Sequence, residues 1–274
     1  MLFFNIETSL PLIKDLPRAA AAELSAAVES VDPAEHVISH RGASGDAPEH
    51  SFEAYDLAIR QGSRYLELDV VVSRNGTIYI SHDFSALRLT GVNAEFQFMT
   101  DKEIDALRTR DGCPILRLES VFERYGKSVN YVIELKRPVE TADKLTRLLK
   151  KYDLGKNVMV QCARIDVIKT IKKSVPDLRF IVSVHDDESL KTMLKQSCVD
   201  IILVEASLMS AKYCLAAHEC GKQFAVWTLN DQDQIIRAIT LDVDFYYTNY
   251  PAQALELEAR YRGRIRTGLT EKHQ

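Results

Sequence analysis

YLELDVVVSRNGTIYISHD, residues 65–83, combines a strand of alternating chemistry, a turn signal and a second strand that ends on polar residues. Residues 65–73 and 77–82 are β-rich, and Arg74-Asn75-Gly76 lies between them. Asn-Gly is the strongest short signal for a two-residue type I′ hairpin. With Asn75 and Gly76 as the loop, Arg74 faces Thr77 and Asp69 falls opposite His82. Directly opposed residues bring their Cβ atoms to about 4.5–5.5 Å. The period of two puts Glu67 on the face of Asp69, so one face is expected to carry Glu67, Asp69 and His82. The plain alternative is a salt-bridged sheet face. Two acids on so apolar a strand need a cation or a proton to be tolerated, which favours a functional cluster.

Working outward, apolar runs alternate with helical stretches along the whole chain. The expected strands are 36–40 (HVISH), 65–72, 131–135 (YVIEL), 157–162 (NVMVQC), 179–184 (RFIVSV), 200–206 (DIILVEA), 223–228 (QFAVWT) and 244–249 (DFYYTN). Between them, segments such as SFEAYDLAIRQG, TADKLTRLLKKY and DQDQIIRAIT carry apolar residues at helical spacing. Eight strands, most of them followed by a helix, fit an α/β fold of the (β/α)8 TIM barrel type. A short antiparallel hairpin strand ending at His82 lies outside the eight, and residues 84–116 form a small excursion over the C-terminal mouth. A doubly wound open sheet is the other topology that this periodicity allows.

The barrel reading is favoured by where reactive residues fall. His40, Glu67, Asp69, Glu134, Lys136, Gln161, Glu205, Trp227 and Asn249 all lie toward the C-terminal ends of their strands, and barrel enzymes work at that mouth. Gln161 and Glu205 are equally readable as ordinary strand-end polar residues, and Trp227 as core.

Composition bounds the function. The chain is 46% hydrophobic and 27% charged with a net charge of −4, which suits a well-buried domain and gives no basic footprint for nucleic acid. Cys113, Cys162, Cys198, Cys214 and Cys220 form no CxxC pair and read as reduced thiols in a reducing compartment. MLFF is interrupted by Asn5 and Glu7, so neither a signal peptide nor a transmembrane segment is expected and a cytoplasmic location is. The expected organisation is an N-terminal helical extension over 1–35, a barrel over 36–255, and a C-terminal helix and tail over 256–274. LPRAAAAELSAAVES is a good helix former, expected to close the lower end of the barrel. Contact of Met1–Phe4 with a partner or membrane surface is the other option. RYRGRIRTGLTEKHQ reads as a solvated terminus.

Over residues 37–253 the chain resembles the glycerophosphodiester phosphodiesterases. The likeness rests on HRGASGDAPEHSFEAYDLAIRQG, YLELDVVVSRNGTIYISHD, CPILRLESVF before YVIELK, AVWTLND and DVDFYYTNYP, in that order. It implies active-site roles for His40, Arg41 and His82, metal ligation by Glu67, Asp69 and Glu134, and phosphate contact by Lys136. Three carboxylates without Cys or His ligand spacing suit a divalent metal, Mg²⁺ or Ca²⁺. Arg41 can fork onto two phosphate oxygens and Lys136 can add a point charge. Two histidines can divide the proton work, His40 as base and His82 as acid, with water or the neighbouring glycerol hydroxyl as nucleophile.

Three departures from the family pattern stand out. His50 occupies the position of the usual Asn after Pro48-Glu49, either as a neutral hydrogen-bonding substitute or as the sign of an altered substrate. Cys162-Ala163 replaces a small or aromatic pair, and Asn249 stands where many relatives have Asp. Ser51 remains able to cap the following helix. The implied partner is a small-molecule phosphodiester, cleaved to glycerol 3-phosphate and an alcohol. The alternatives are a lysophospholipid or a sugar phosphodiester of the agrocinopine type, and a non-catalytic phosphate-binding barrel. An apolar mouth rim favours lipid, whereas the polar loop GASGDAPEH argues against it.

Overall fold

A computed structural model describes the chain from Asp32 to Thr270, with side chains to Arg262. The expected N-terminal helix, the Met1–Phe4 contact and the last residues of the tail lie outside these described residues.

Eight parallel strands close on themselves. They are β1 (Val37–Ser39), β2 (Tyr65–Val72), β4 (Asn130–Leu135), β5 (Val158–Gln161), β6 (Arg179–Ser183), β7 (Ile201–Glu205), β8 (Gln223–Trp227) and β9 (Phe245–Thr248). Each pairs in parallel with the next, and β1 pairs with both β2 and β9. That closure excludes the open doubly wound sheet and makes the chain a (β/α)8 barrel. The surrounding helices are α1 (Phe52–Arg60), α4 (Leu118–Tyr125), α5 (Pro138–Tyr152), α6 (Ile165–Ser174), α7 (Asp187–Leu194), α8 (Ala211–Glu219), α9 (Gln232–Thr240) and α10 (Pro251–Thr270). Ser51 caps α1 as expected, accepting from the Ala54 amide at 3.0 Å.

Alternation along the strands sorts the core into two shells. Leu66, Leu68, Val70, Tyr131 and Ile133 face the helices. Ile38, Val132, Met159, Ile181, Leu203 and Tyr247 fill the barrel interior. Glu67, Asp69, Glu134 and Gln161 continue the inward series toward the mouth, where the layers of apolar side chains end.

The hairpin differs from expectation. β3 (Ile78–Ile80) runs antiparallel to β2 with Val70 opposite Ile80 and Val72 opposite Ile78. Asp69 therefore pairs with Ser81, whose amide donates to the Asp69 carbonyl at 3.0 Å, and His82 lies one residue further on. The loop has three residues. The Gly76 amide closes a turn on the Ser73 carbonyl at 2.9 Å and Gly76 has φ +90°, the type I turn with a left-handed glycine that sets three-residue hairpins. Asn75 instead uses its side chain to accept from the Asp101 amide at 3.0 Å, tying the hairpin to the excursion.

That excursion carries α2 (Leu87–Thr90) and α3 (Asp101–Asp105) over a small core of its own, built from Val71, Tyr79, Ala86, Phe96, Met99, Ile104 and Ile115. At the other end of the chain, α10 runs without a break past the boundary expected at 255–256. Its Glu258 and Arg262 are buried, so the reading of RYRGRIRTGLTEKHQ as a solvated end is corrected at Arg262, whereas Arg260 is exposed. The basic run turns inward there because Arg262 pairs with Glu258 and Asp242. All five cysteines are free. Among the described residues no helix is long and apolar enough to cross a membrane.

Gly42, just after β1, has φ +83°, and a Cβ there would meet the Ala54 carbonyl carbon and Cβ at 2.8 Å. Both backbone strain and a clash with α1 oppose any side chain. Gly42→Ala is expected to cost about 2 kcal/mol or more, read as a lowered denaturant midpoint at unchanged m-value.

Candidate active site

The loop from His40 to Ser51 leaves β1 at the mouth and turns back into α1. Arg41 and His50 both adopt left-handed conformations, φ +59° and +56°, and the His50 amide donates to the Arg41 carbonyl at 3.0 Å, closing the loop. Such non-glycine conformations cost about 1–3 kcal/mol each and persist where the surroundings hold them. Here the Arg41 amide donates to Glu67 Oε2 at 2.9 Å. The His50 ring is pinned between Tyr55 Oη at 2.9 Å and Asp69 Oδ2 at 3.0 Å.

Strand register assembles the acids. Asp69 is level with Glu134, and Glu134 with Gln161. Lys136 Nζ bridges Asp69 Oδ1 and Glu134 Oε1, 2.9 Å from each. Burial, with Asp69 beside it, pushes the Glu67 carboxyl well above the usual range. Burial raises Glu134 as well, against the pull of Lys136. For Asp69 burial acts upward, but the His50 hydrogen bond and the Lys136 ammonium outweigh it and hold the group ionised. The same two carboxylates keep Lys136 charged in spite of its burial.

His50, Glu67 and Asp69 each bring a ligand atom within 4.8 Å of the others, and Glu134 joins them across Lys136. Buried acids that repel one another, with an ammonium drawn in among them, form a donor set that a hard divalent cation fits: carboxylate oxygens dominate and no thiolate is present.

Two histidines flank this cluster with different partners. His40 Nδ1 lies 2.7 Å from Asn249 Oδ1; an amide oxygen only accepts, so Nδ1 carries the proton and Nε2 keeps its lone pair. Burial, then the Arg41 charge, lower the His40 pKa from 6.5 to about 4, so the ring is neutral at ordinary pH. His82 Nδ1 lies 2.7 Å from Asp83 Oδ1, a carboxylate that accepts the Nδ1–H hydrogen bond and fixes the ring. Arg88 holds the other Asp83 oxygen and grips Glu49 with two bonds of 2.9 and 2.7 Å. Arg41 reaches Glu49 at 3.4 Å and Asp69 at 3.4 Å.

A pocket of about 130 Å³ gathers these groups. Of the residues singled out in the sequence, His40, Arg41, Glu67, His82, Glu134, Lys136, Gln161 and Trp227 line it, together with Ser183 and Tyr247. Asp69 and His50 sit directly behind, and Asn249 acts through His40. Glu205 does not join: it is exposed at the end of β7 and is not among the residues that line the pocket. Asp83, Glu49, Arg88 and Tyr247 carry no site role expected from the sequence. Asp83 had a signal, as the carboxylate next to His82, whereas the others depend on contacts between distant segments.

Comparison with known proteins agrees with this geometry. The model of the glycerophosphoryl diester phosphodiesterase family matches residues 40–253. The chain is similar to a glycerophosphodiester phosphodiesterase of Bacillus subtilis (strain 168), 24% identical over 78% of this chain and 83% of that protein. It is similar in structure to a glycerophosphodiester phosphodiesterase from Agrobacterium tumefaciens, with a TM-score of 0.71 and 25% identity over 82% of this chain and 99% of the other. It shares its fold with an Oleispira antarctica phosphodiesterase solved with its product sn-glycerol-3-phosphate, TM-score 0.73 and 22% identity over 81% and 96% of the two chains. With the family's motifs assembled at the mouth of a closed barrel, the chain belongs to the glycerophosphoryl diester phosphodiesterase family and is a phosphoric diester hydrolase.

Proposed function

We propose that the protein hydrolyses glycerophosphodiesters to glycerol 3-phosphate and an alcohol, with Glu67, Asp69 and Glu134 holding a divalent cation, Mg²⁺ or Ca²⁺, and His40 and His82 moving the protons. The observation that carries this reading is the meeting of Glu67, Glu134, Arg41 and Lys136 in one small pocket, with Asp69 bonded to Lys136 directly behind them, between two histidines with unlike partners.

A phosphodiester gains negative charge on its oxygens as it is attacked, so fixed positive groups favour the transition state over the ground state. Arg41 and Lys136 supply that charge from positions already held by carboxylates, which avoids reorganisation during reaction. When bound, the cation adds Lewis acidity toward the phosphate oxygens. His40, neutral with a bare Nε2, takes a proton from the attacking water. His82, held at Nδ1 by the Asp83 carboxylate, delivers one from Nε2 to the departing alkoxide. The neutral amide beside His40 and the anion beside His82 divide the base and acid roles.

The direct test is release of glycerol 3-phosphate from glycerophosphocholine and glycerophosphoethanolamine with Mg²⁺, with Ca²⁺ and with chelator. Release that chelator does not diminish would remove the cation from the mechanism. Glu134→Gln is expected to weaken cation binding by at least the 10–100-fold that typifies loss of an outer-shell partner, roughly. Excess cation should then restore part of the activity. Calorimetric titration checks it, and unchanged affinity would strike Glu134 from the ligand set.

A further inference from the structure

We propose that a groove beside the catalytic pocket receives an alkyl chain carried by the leaving alcohol, so that glycerol 3-phosphate esters of long-chain alcohols are substrates. The inference rests on the hydrolase reading above and extends it to the second ester arm. The groove, about 600 Å³, opens between the barrel mouth and the excursion. It shares His82 and Lys136 with the inner pocket, so anything bound along it is continuous with the phosphate site.

The groove offers carbon. Phe84 and Leu87 line it with 43% and 46% of their surface exposed. Its charged groups are already satisfied: Arg88 by Asp83 and Glu49, Asp83 by His82 and Arg88, and Lys136 by Asp69 and Glu134. A cationic head group would meet no free carboxylate there. The Phe84 ring already has a cation, with the Arg137 guanidinium 4.6 Å from its centroid. What remains accessible is apolar surface, which gains by taking a chain out of water.

The backbone that carries these side chains is also held in place. The Phe84 carbonyl accepts from the Phe96 amide at 3.0 Å, and the Ala86 side chain packs in the excursion's own core with Phe96 and Ile104. Phe84 and Leu87 are therefore surplus to that core, displayed on a segment tied to it through Phe96 and Ala86. Exposed apolar surface next to a reactive centre marks binding.

The two pockets assign the two arms of the diester. The inner pocket of about 130 Å³, lined by the polar side chains of Glu67, Gln161, Ser183 and Tyr247, is of a size that suits glycerol, whereas the groove is several times larger and lined by Phe84 and Leu87. The groove begins at His82, the group that protonates the leaving oxygen. Water oxygen bonds to phosphorus as its proton passes to His40, the phosphorus–oxygen bond to the long-chain alcohol breaks, and that oxygen takes the His82 proton. The products are glycerol 3-phosphate and the free alcohol.

The test compares kcat/KM for glycerol 3-phosphate esters of ethanol, butanol, hexanol and decanol, kept below their aggregation concentrations. Each methylene fully removed from water is worth about fourfold, and an open groove gives less, so a rise of about twentyfold from ethyl to decyl is expected. In the Phe84→Ser/Leu87→Ser variant that ratio should fall to near one. Calorimetric binding of ethyl phosphate and decyl phosphate reads the groove without turnover and should show the same loss. Chain-independent binding and kcat/KM would overturn the proposal. So would a larger, Phe84-dependent gain with a lysophosphatidylcholine, whose chain is on the glycerol arm. Chain-dependent binding with no hydrolysis of any ester would instead sink the hydrolase reading and leave the groove standing.

Discussion

His40→Ala and His82→Ala are each expected to lower kcat by about 10²–10⁴, the range that positioned general acids and bases supply, while the far-ultraviolet spectrum and melting profile stay native. The expectation follows from what each ring touches. His40 makes one side-chain hydrogen bond, to Asn249, and an edge contact with Tyr247 at 6.4 Å. His82 bonds Asp83 at the partly open rim. Neither ring fills a core layer, so truncation removes proton transfer and little packing.

The pH dependence separates the two variants. With its pKa lowered to about 4, His40 remains a base well below pH 6.5, and the acid limb of kcat/KM is expected below the value of a free imidazole. A bound cation would move that limb lower still. In stability the same shift acts as follows. Between about 4 and 6.5 the unfolded chain takes up a proton that native His40 refuses. The His40 contribution is thus whole above 6.5 and is lost as pH falls toward 4. His40→Ala should flatten both profiles over that window. Full activity in both histidine variants would sink the acid–base assignment.

The second large effect lies far from the chemistry. Arg262→Ala is expected to destabilise the fold by about 3–5 kcal/mol, the cost of leaving a buried charge without its partner. Glu258 and Arg262 are 1% and 3% exposed, and the guanidinium spends its donors on Glu258 at 2.5 and 3.1 Å, on Asp242 at 2.9 Å and on the Val243 carbonyl at 3.0 Å. Removing it strands Glu258 and frees a carbonyl at the entry to β9. Against a typical total of about 5–15 kcal/mol the loss is large. Urea denaturation measures it directly. Arg262→Met combined with Glu258→Leu should recover most of the stability, because an apolar pair of similar volume has no charge to desolvate. A double variant as unstable as Arg262→Ala would show that the pair contributes more than mutual neutralisation.

Much of the barrel and of its site was legible from local signals. Eight apolar runs separated by helical periods describe a parallel sheet, and every strand formed within a few residues of its expected span. Period two along β2 placed Glu67 and Asp69 on one face, since alternation is a property of a single strand, and Glu134 was marked by its place near the end of β4. The clustering of polar residues at the strand ends anticipated the pocket, with the exception of Glu205, whose strand end opens to solvent rather than into it.

Tertiary structure decided what depends on distance between segments. Barrel closure came from β1 meeting β2 and β9, contacts that no local period encodes. The hairpin register turned on one residue: Asn75 engaged the excursion and Gly76 took the left-handed position, so the loop grew to three and Asp69 moved opposite Ser81. The bonds of His50 to Asp69 and of Arg88 to Glu49, and the burial of Arg262, join residues 19, 39 and 20 or fewer positions apart. Sequence by itself determined which chemistry is present and on which face each strand carries it, because side-chain type and backbone period are local. Only the folded chain decided which of those groups meet, which are desolvated and what protonation state each holds, because proximity and burial are properties of the assembled packing.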